Sequence, residues 1–181
     1  LNLINQTTLG ANNRSINFTS LLDTNQIYYY NITIQDYALN KNSTETRKIT
    51  LDSINPQVSF SSDNPINNTF FARDWIYINV SVTDTNRNAT IFYLYNSTLN
   101  LINSSTFTDT TSSVNFSSLI NPNQAFYYNV THIDKAGNRN ITETRKVTLD
   151  NLNPIIGLNQ PLNNTLTNNN ALQFNFTPTD T

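Results

Sequence analysis

The chain has no cysteine, and only three glycines, one tryptophan and one histidine among its 181 residues. Without cysteine there are no disulfides, no thiolate metal centres and no cysteine nucleophile, which says little of a cytosolic protein but means that a secreted one must stand on its core alone. Three glycines are too few for a Gly-rich phosphate loop. The lone His132 has no Ser, Cys or Asp arrangement around it in the sequence that would make it catalytic, and it reads as a core-edge side chain. Charged residues make up 12% of the chain, against roughly 25% in typical soluble proteins. The net charge is −2 and no basic stripe exists to neutralise phosphates, so no nucleic-acid partner is expected. No apolar run reaches the 18 to 20 or so residues of a membrane span. Leu1 is not an initiator methionine and no signal-type segment precedes it, as expected of a mature or excerpted chain. With no carboxylate pair tied to a pocket either, an enzyme is not expected.

What fills the chain instead is asparagine, 34 residues of it, together with 41 Ser and Thr, which favour turns and strands over helices. An AT-rich coding bias would raise lysine as well, yet there are four Lys, so the asparagine reads as selected. These residues recur in order. STETRKITLDSINP at 43–56 returns as ITETRKVTLDNLNP at 141–154, 98 positions on, and SINFTSLL at 15–22 returns as SVNFSSLI at 113–120. Past Pro56 the offset becomes 96, matching Pro65–Thr69 with Pro161–Thr165. The repeat of about 98 residues divides the chain into a partial unit (1–56), a complete unit (57–154) and a second partial unit (155–181).

Within the complete unit the alternation is that of half-buried strands. Ile76, Ile78, Val80 and Val82 share one face against Tyr77, Asn79, Ser81 and Thr83, and Phe126, Tyr128 and Val130 alternate with Tyr127, Asn129 and Thr131. Further strands are expected at 57–61, 91–95, 98–102, 113–116 and 141–149. Seven short strands separated by Asn, Pro and Asp turns, with no helical stretch, indicate an all-β fold of tandem immunoglobulin-like antiparallel β-sandwiches.

The segment FYYNVTHIDKAGN at 126–138, followed by VTLDNLNP at 147–154, resembles the penultimate strand and turn, then the last strand and linker, of prokaryotic (bacterial and archaeal) Ig-like tandem-repeat surface proteins. The earlier copy carries Leu39 where Gly137 stands, so its turn chemistry is expected to differ. The resemblance implies a surface location and raises the expectation of calcium at the joints between domains. Asp84 and Asp134 fall in turns at the end where the chain enters the unit, and Asp52 lies in the linker there. Three carboxylates from separate segments would suit Ca²⁺, or each would cap its own turn.

Fifteen asparagines open an N-x-Ser/Thr sequon: Asn5, Asn13, Asn17, Asn31, Asn42, Asn67, Asn79, Asn88, Asn96, Asn103, Asn115, Asn129, Asn140, Asn163 and Asn175. Chance pairing of 34 Asn with 41 Ser or Thr in 181 positions gives about eight. Asn17, Asn31, Asn79, Asn115, Asn129 and Asn175 lie between apolar neighbours, which turns each of them and its hydroxyl partner outward on a strand. They read either as N-glycan acceptors or as plain polar outer-face residues. Asn79, Asn129, Asn31 and Asn175 are the acceptors expected first.

The expectation is a structural segment of a glycosylated extracellular filament or cell-surface stalk, with neighbouring copies as head-to-tail partners and short Pro-containing linkers limiting bending. The alternative is an adhesin repeat whose loops bind a glycan or a surface protein. Tyr28, Tyr29, Tyr30, Phe126, Tyr127 and Tyr128 could make a sugar platform, but alternation places half of them in the core. The partial units would complement one another between copies, short only of the segment equivalent to 86–98. They would do so either as a window of a longer tandem protein or by strand exchange between subunits.

Overall fold

The structure, a computed structural model, describes residues 2–10, 12–108, 112–119 and 123–180. Every regular element among them is a strand. The first partial unit holds β1 (Gln26–Tyr30), β2 (Thr33–Gln35), β3 (Lys41–Ser43) and β4 (Arg47–Leu51). The complete unit holds β5 (Gln57–Phe60), β6 (Thr69–Phe71), β7 (Ile76–Thr83), β8 (Arg87–Tyr95), β9 (Leu101–Thr108), β10 (Ser113–Phe116), β11 (Gln124–Asp134), β12 (Arg139–Ile141) and β13 (Arg145–Leu149). The second partial unit holds β14 (Ile155–Gln160) and β15 (Asn175–Thr179).

The complete unit is a two-sheet sandwich with immunoglobulin-like connectivity. One sheet runs β10-β7-β5 and the other β6-β13-β11-β8-β9, with β12 on β11. The opening edge switches sheets: β5 pairs antiparallel with β7, whereas β6 pairs parallel with β13. Buried Asn64 holds the crossing. Its Oδ1 accepts from Asn79 N at 2.8 Å, and its Nδ2 donates to the Ser61 carbonyl at 2.8 Å and to that of Asn79. The inward residues are those the alternation selects: Ile76, Ile78 and Val80 from β7, Phe92 and Leu94 from β8, Phe126, Tyr128 and Val130 from β11, Val147 and Leu149 from β13. Phe60 meets Tyr128 edge to face across the sheets, with ring centres 5.5 Å apart.

Two expected strands differ. Residues 98–102 mostly form a tight turn, Asn96–Asn100, and β9 begins at Leu101, because Asn96 Oδ1 caps the backbone N–H groups of Thr98 (3.0 Å) and Asn100 (2.9 Å). Residues 141–149 break between β12 and β13, where Thr142 bonds Val130 through both its backbone N–H (2.9 Å) and its hydroxyl (3.0 Å to Val130 N). The edge strand β6 carries no alternation long enough to be read from sequence.

Each partial unit reproduces the registers of the complete one. β1 pairs β4 as Gln26↔Leu51 through Tyr30↔Arg47, just as β11 pairs β13 as Gln124↔Leu149 through Tyr128↔Arg145. Thr33↔Ser43 repeats Thr131↔Ile141, and Ile155↔Thr179 repeats Gln57↔Thr83, so the change of offset from 98 to 96 falls after Phe60 and not at Pro56. The Leu39 turn is not divergent. Asp36–Asn40 and Asp134–Asn138 make the same backbone and side-chain bonds, with Leu39 at φ 71° and Gly137 at φ 93°. Burial separates the units. Val130 and Ile78 are sealed at 0% exposure, while their counterparts Ile32 (61%) and Phe174 (65%) face open space.

Candidate functional site

Asp52, Asp84 and Asp134 do gather at the chain-entry end, but asparagine amides bridge them. Asp134, fully buried, accepts from the backbone N–H of Ala136 (2.9 Å) and Asn138 (2.8 Å) on Oδ1 and from Asn138 Nδ2 (2.8 Å) on Oδ2. Asp84 Oδ1 caps Asn86 N at 2.6 Å, and Asp52 Oδ1 caps Ile54 N at 3.0 Å. Asn86 Nδ2 then donates to Asp52 Oδ2 and, at 2.8 Å, to Asn25 Oδ1. Asn138 Nδ2 also reaches the Asp52 carbonyl (2.9 Å), and Asn140 Nδ2 the Pro56 carbonyl (3.1 Å). Among the described residues no three His, Cys, Asp or Glu side chains come together as a metal site. Asp52, Asp84 and Asp134 are thus brought to one joint and linked there through amide and backbone donors. Their oxygens are turned onto backbone and amide donors, and neutral donors do the linking that a cation would do.

His132 is sealed beneath this joint and shares a 2.9 Å hydrogen bond between Nδ1 and Thr90 Oγ1. Burial lowers its pKa, Arg87 lowers it further, and Asp84 and Asp134 oppose the change. A neutral imidazole facing the core serves packing, as the sequence indicated.

The sequon asparagines divide by accessibility. Asn5, Asn13, Asn17, Asn31, Asn42, Asn67, Asn88, Asn103, Asn115, Asn163 and Asn175 are exposed, and Asn79, Asn96 and Asn140 are half-buried. Asn129 is buried, with Nδ2 bonded to Thr144 Oγ1 at 3.0 Å. The expectation that Asn129 stands in solvent is corrected. It lies on the outward face, but β11 is flanked on both sides, with Tyr93 directly across on β8. A long neighbour on a central strand covers a short side chain that an edge strand would expose. Asn79 Nδ2 is held by the Asp63 carboxylate at 3.1 and 3.3 Å.

Of the aromatics considered as a sugar platform, Phe126 and Tyr128 are core residues. Sequence reasoning passed over a different cluster. On the outer face of the β10-β7-β5 sheet, a cleft of about 320 Å³ is lined by Asp63, Pro65, Arg73, Trp75, Tyr77 and Asn115. The Arg73 guanidinium lies 4.0 Å from the Phe71 ring centre and 3.8 Å from that of Trp75. Desolvation there lowers its pKa, with Tyr128 opposing. The signal was in the repeat itself. Arg73, Trp75 and Tyr77 align with Asn169, Ala171 and Gln173, so the cluster belongs to one copy and the shared packing does not require it.

No protein-family model and no curated protein matches the chain. Among solved structures it is similar to dimeric latent PorU from Porphyromonas gingivalis, at 12% identity and TM-score 0.41 over 68% of this chain and 12% of that one. It is also similar to the FN1–FN3 domains of chicken CNTN1, at 12% identity and TM-score 0.44 over 71% of this chain and 42% of that one. The chain thus spans less than half the length of either.

Proposed function

We propose that the chain is a structural segment of a surface stalk or extracellular filament, assembled from Ig-like units of the prokaryotic tandem-repeat kind and bearing N-linked glycans. The observation that carries this reading is the recurrence of one strand register in three successive units. The open faces of β1–β4 and of β14–β15 present Tyr30, Ile32, Ile49, Phe174 and Phe176 to solvent where their counterparts are core. The complementary half of a like unit has the strands that would cover these faces. Supplied by a further unit in tandem or by a neighbouring molecule, and not by the other end of the same 181 residues, such pairing is head-to-tail and propagates as an array. The amide-bridged joint limits bending between beads. Glycans on exposed acceptors such as Asn103, Asn115 and Asn175 would shield an outer face rich in unpaired strand edges, and they require export.

Electron microscopy and sedimentation of the full chain test the array. Concentration-dependent linear particles with a domain-sized repeat are expected, and they should disappear when Phe174 and Phe176 are replaced by Asp. A monomer at every concentration, with residues 2–56 cross-linking to 155–180 of the same chain, would overturn it. Glycopeptide mapping of natively sourced protein should find sugar at Asn175 and none at Asn129. A second reading, adhesion, is favoured by the one-copy cleft beside Trp75.

A further inference from the structure

The cleft on the β10-β7-β5 sheet combines features that the fold does not need. Trp75 is the only tryptophan of the chain and stays 37% exposed, although a ring of its size would normally be drawn under cover. Arg73 is stacked between Phe71 and Trp75 and has no carboxylate within ion-pair distance among the described residues. Its buried Nε has no hydrogen-bond partner. The guanidinium is thus pre-oriented by two rings while donors remain uncommitted. Asp63 brings a carboxylate already fixed by Asn79, and Asn115 brings an amide directly across the strand register from Tyr77. A partly exposed indole with Arg73 over its ring, and a half-buried Tyr77 beside planar polar groups, match the alternating C–H face and hydroxyl edge of a sugar ring. The ring stacks on the aromatic while its hydroxyls meet donors and acceptors in one plane. None of Arg73, Trp75 and Tyr77 is kept in the following unit, where Asn169, Ala171 and Gln173 stand, so the cluster is a specialisation of this domain.

We propose that this cleft is a saccharide-binding site in which Trp75 and Tyr77 supply the stacking surface and Arg73, Asp63 and Asn115 the polar rim. Two sources could fill it. One is a glycan of another molecule, which would make this bead the adhesive one in the array. The other is the glycan attached at Asn115 itself, whose first sugar would lie against Tyr77. Only this second source rests on the glycosylation proposed above.

Because Trp75 is the sole tryptophan, its emission reports on the site directly. The full chain made in a host without N-glycosylation should show a saturable emission change with N,N′-diacetylchitobiose, lactose or maltose. The expected dissociation constant is on the order of 1 mM. Asp63→Ala and Arg73→Lys, both checked for unchanged circular dichroism, should weaken binding by about tenfold or more. If Arg73→Lys does not fold, Asp63→Ala, which changes an exposed loop residue, still decides. If the Asn115 glycan is the occupant, Trp75 emission in the glycosylated chain will differ from that of the bare chain, and Asn115→Gln will restore the bare value and reopen the cleft to free sugar. If mass analysis finds Asn115 unmodified, the glycosylation reading fails at that site while the free-sugar titration still judges the cleft. No saturable change with any of the three sugars, together with identical emission from glycosylated and bare chains, overturns the proposal.

Discussion

Tyr128→Phe separates the hydrogen bond of this tyrosine from its packing. The ring is fully buried and meets Phe60 edge to face, a contact that phenylalanine keeps. The hydroxyl donates to the Pro65 carbonyl at 3.0 Å, and that carbonyl also accepts from Arg145 Nη1 at 3.2 Å. Removing the hydroxyl therefore leaves no orphaned acceptor, and the cost at neutral pH is one net hydrogen bond, about 1 kcal/mol. Alkaline pH should invert the ranking. Burial raises the Tyr128 phenol to about 12, against the lowering influence of Arg145. As pH rises past 10 the unfolded chain loses this proton first and the folded chain holds it, so wild type loses stability through the window from 10 to 12. Each unit of difference corresponds to about 1.4 kcal/mol, and screening by nearby solvent reduces the total loss to about 1–2 kcal/mol. Denaturant unfolding followed by Trp75 emission should show wild type ahead at pH 7 and the variant equal or ahead at pH 12. Parallel stability profiles from pH 8 to 12, or a loss above about 3 kcal/mol at pH 7, would refute this account.

Leu99 sits at φ 62° in the Asn96–Asn100 turn, where a side chain is strained, so Leu99→Gly should stabilise by about 0.5–1 kcal/mol. Gly137→Leu at φ 93° should cost about 1 kcal/mol, all of it backbone strain, because nothing lies within 4 Å of the added Cβ; thermal midpoints read both changes. His132 is held neutral by burial, so below its unfolded pKa of 6.5 the unfolded chain gains a proton that the folded chain resists, and stability falls with acid. His132→Ile, the residue type found at Ile34, should flatten the decline in denaturation midpoint between pH 7 and 5. Asp134→Ala strips two backbone N–H groups and Asn138 of their acceptor and should cost about 3 kcal/mol. Asp134→Asn should cost about 1 kcal/mol, because Asn96 caps the related turn with an amide oxygen. A calcium-dependent rise in the melting temperature of wild type would place an ion at this joint, and an unchanged midpoint would leave the three aspartates as turn caps.

The period of two along β7 and β11 told which side chains face the core, and the 98-residue offset told that the same pairing occurs again, because both are local or translational properties of the chain. Register in the partial units follows for the same reason: identical strands and turns close identically even where no second sheet covers them. Even the Leu39 turn was set locally, by Asp36 and Asn40, against what the missing glycine indicated. What the sequence left open depends on neighbours distant along the chain. Alternation placed Asn129 outward, but only the strand beside it, carrying Tyr93, decided that outward meant buried. Counting charges brought three aspartates to one joint, but only the packing showed that Asn86 and Asn138 link them. The repeat marks Arg73 and Trp75 as particular to one copy, but the sheet set them beside Asp63 and Asn115. Hydrogen-bond partners and accessibility are properties of pairs of segments, and it is the packing of those segments that determines them.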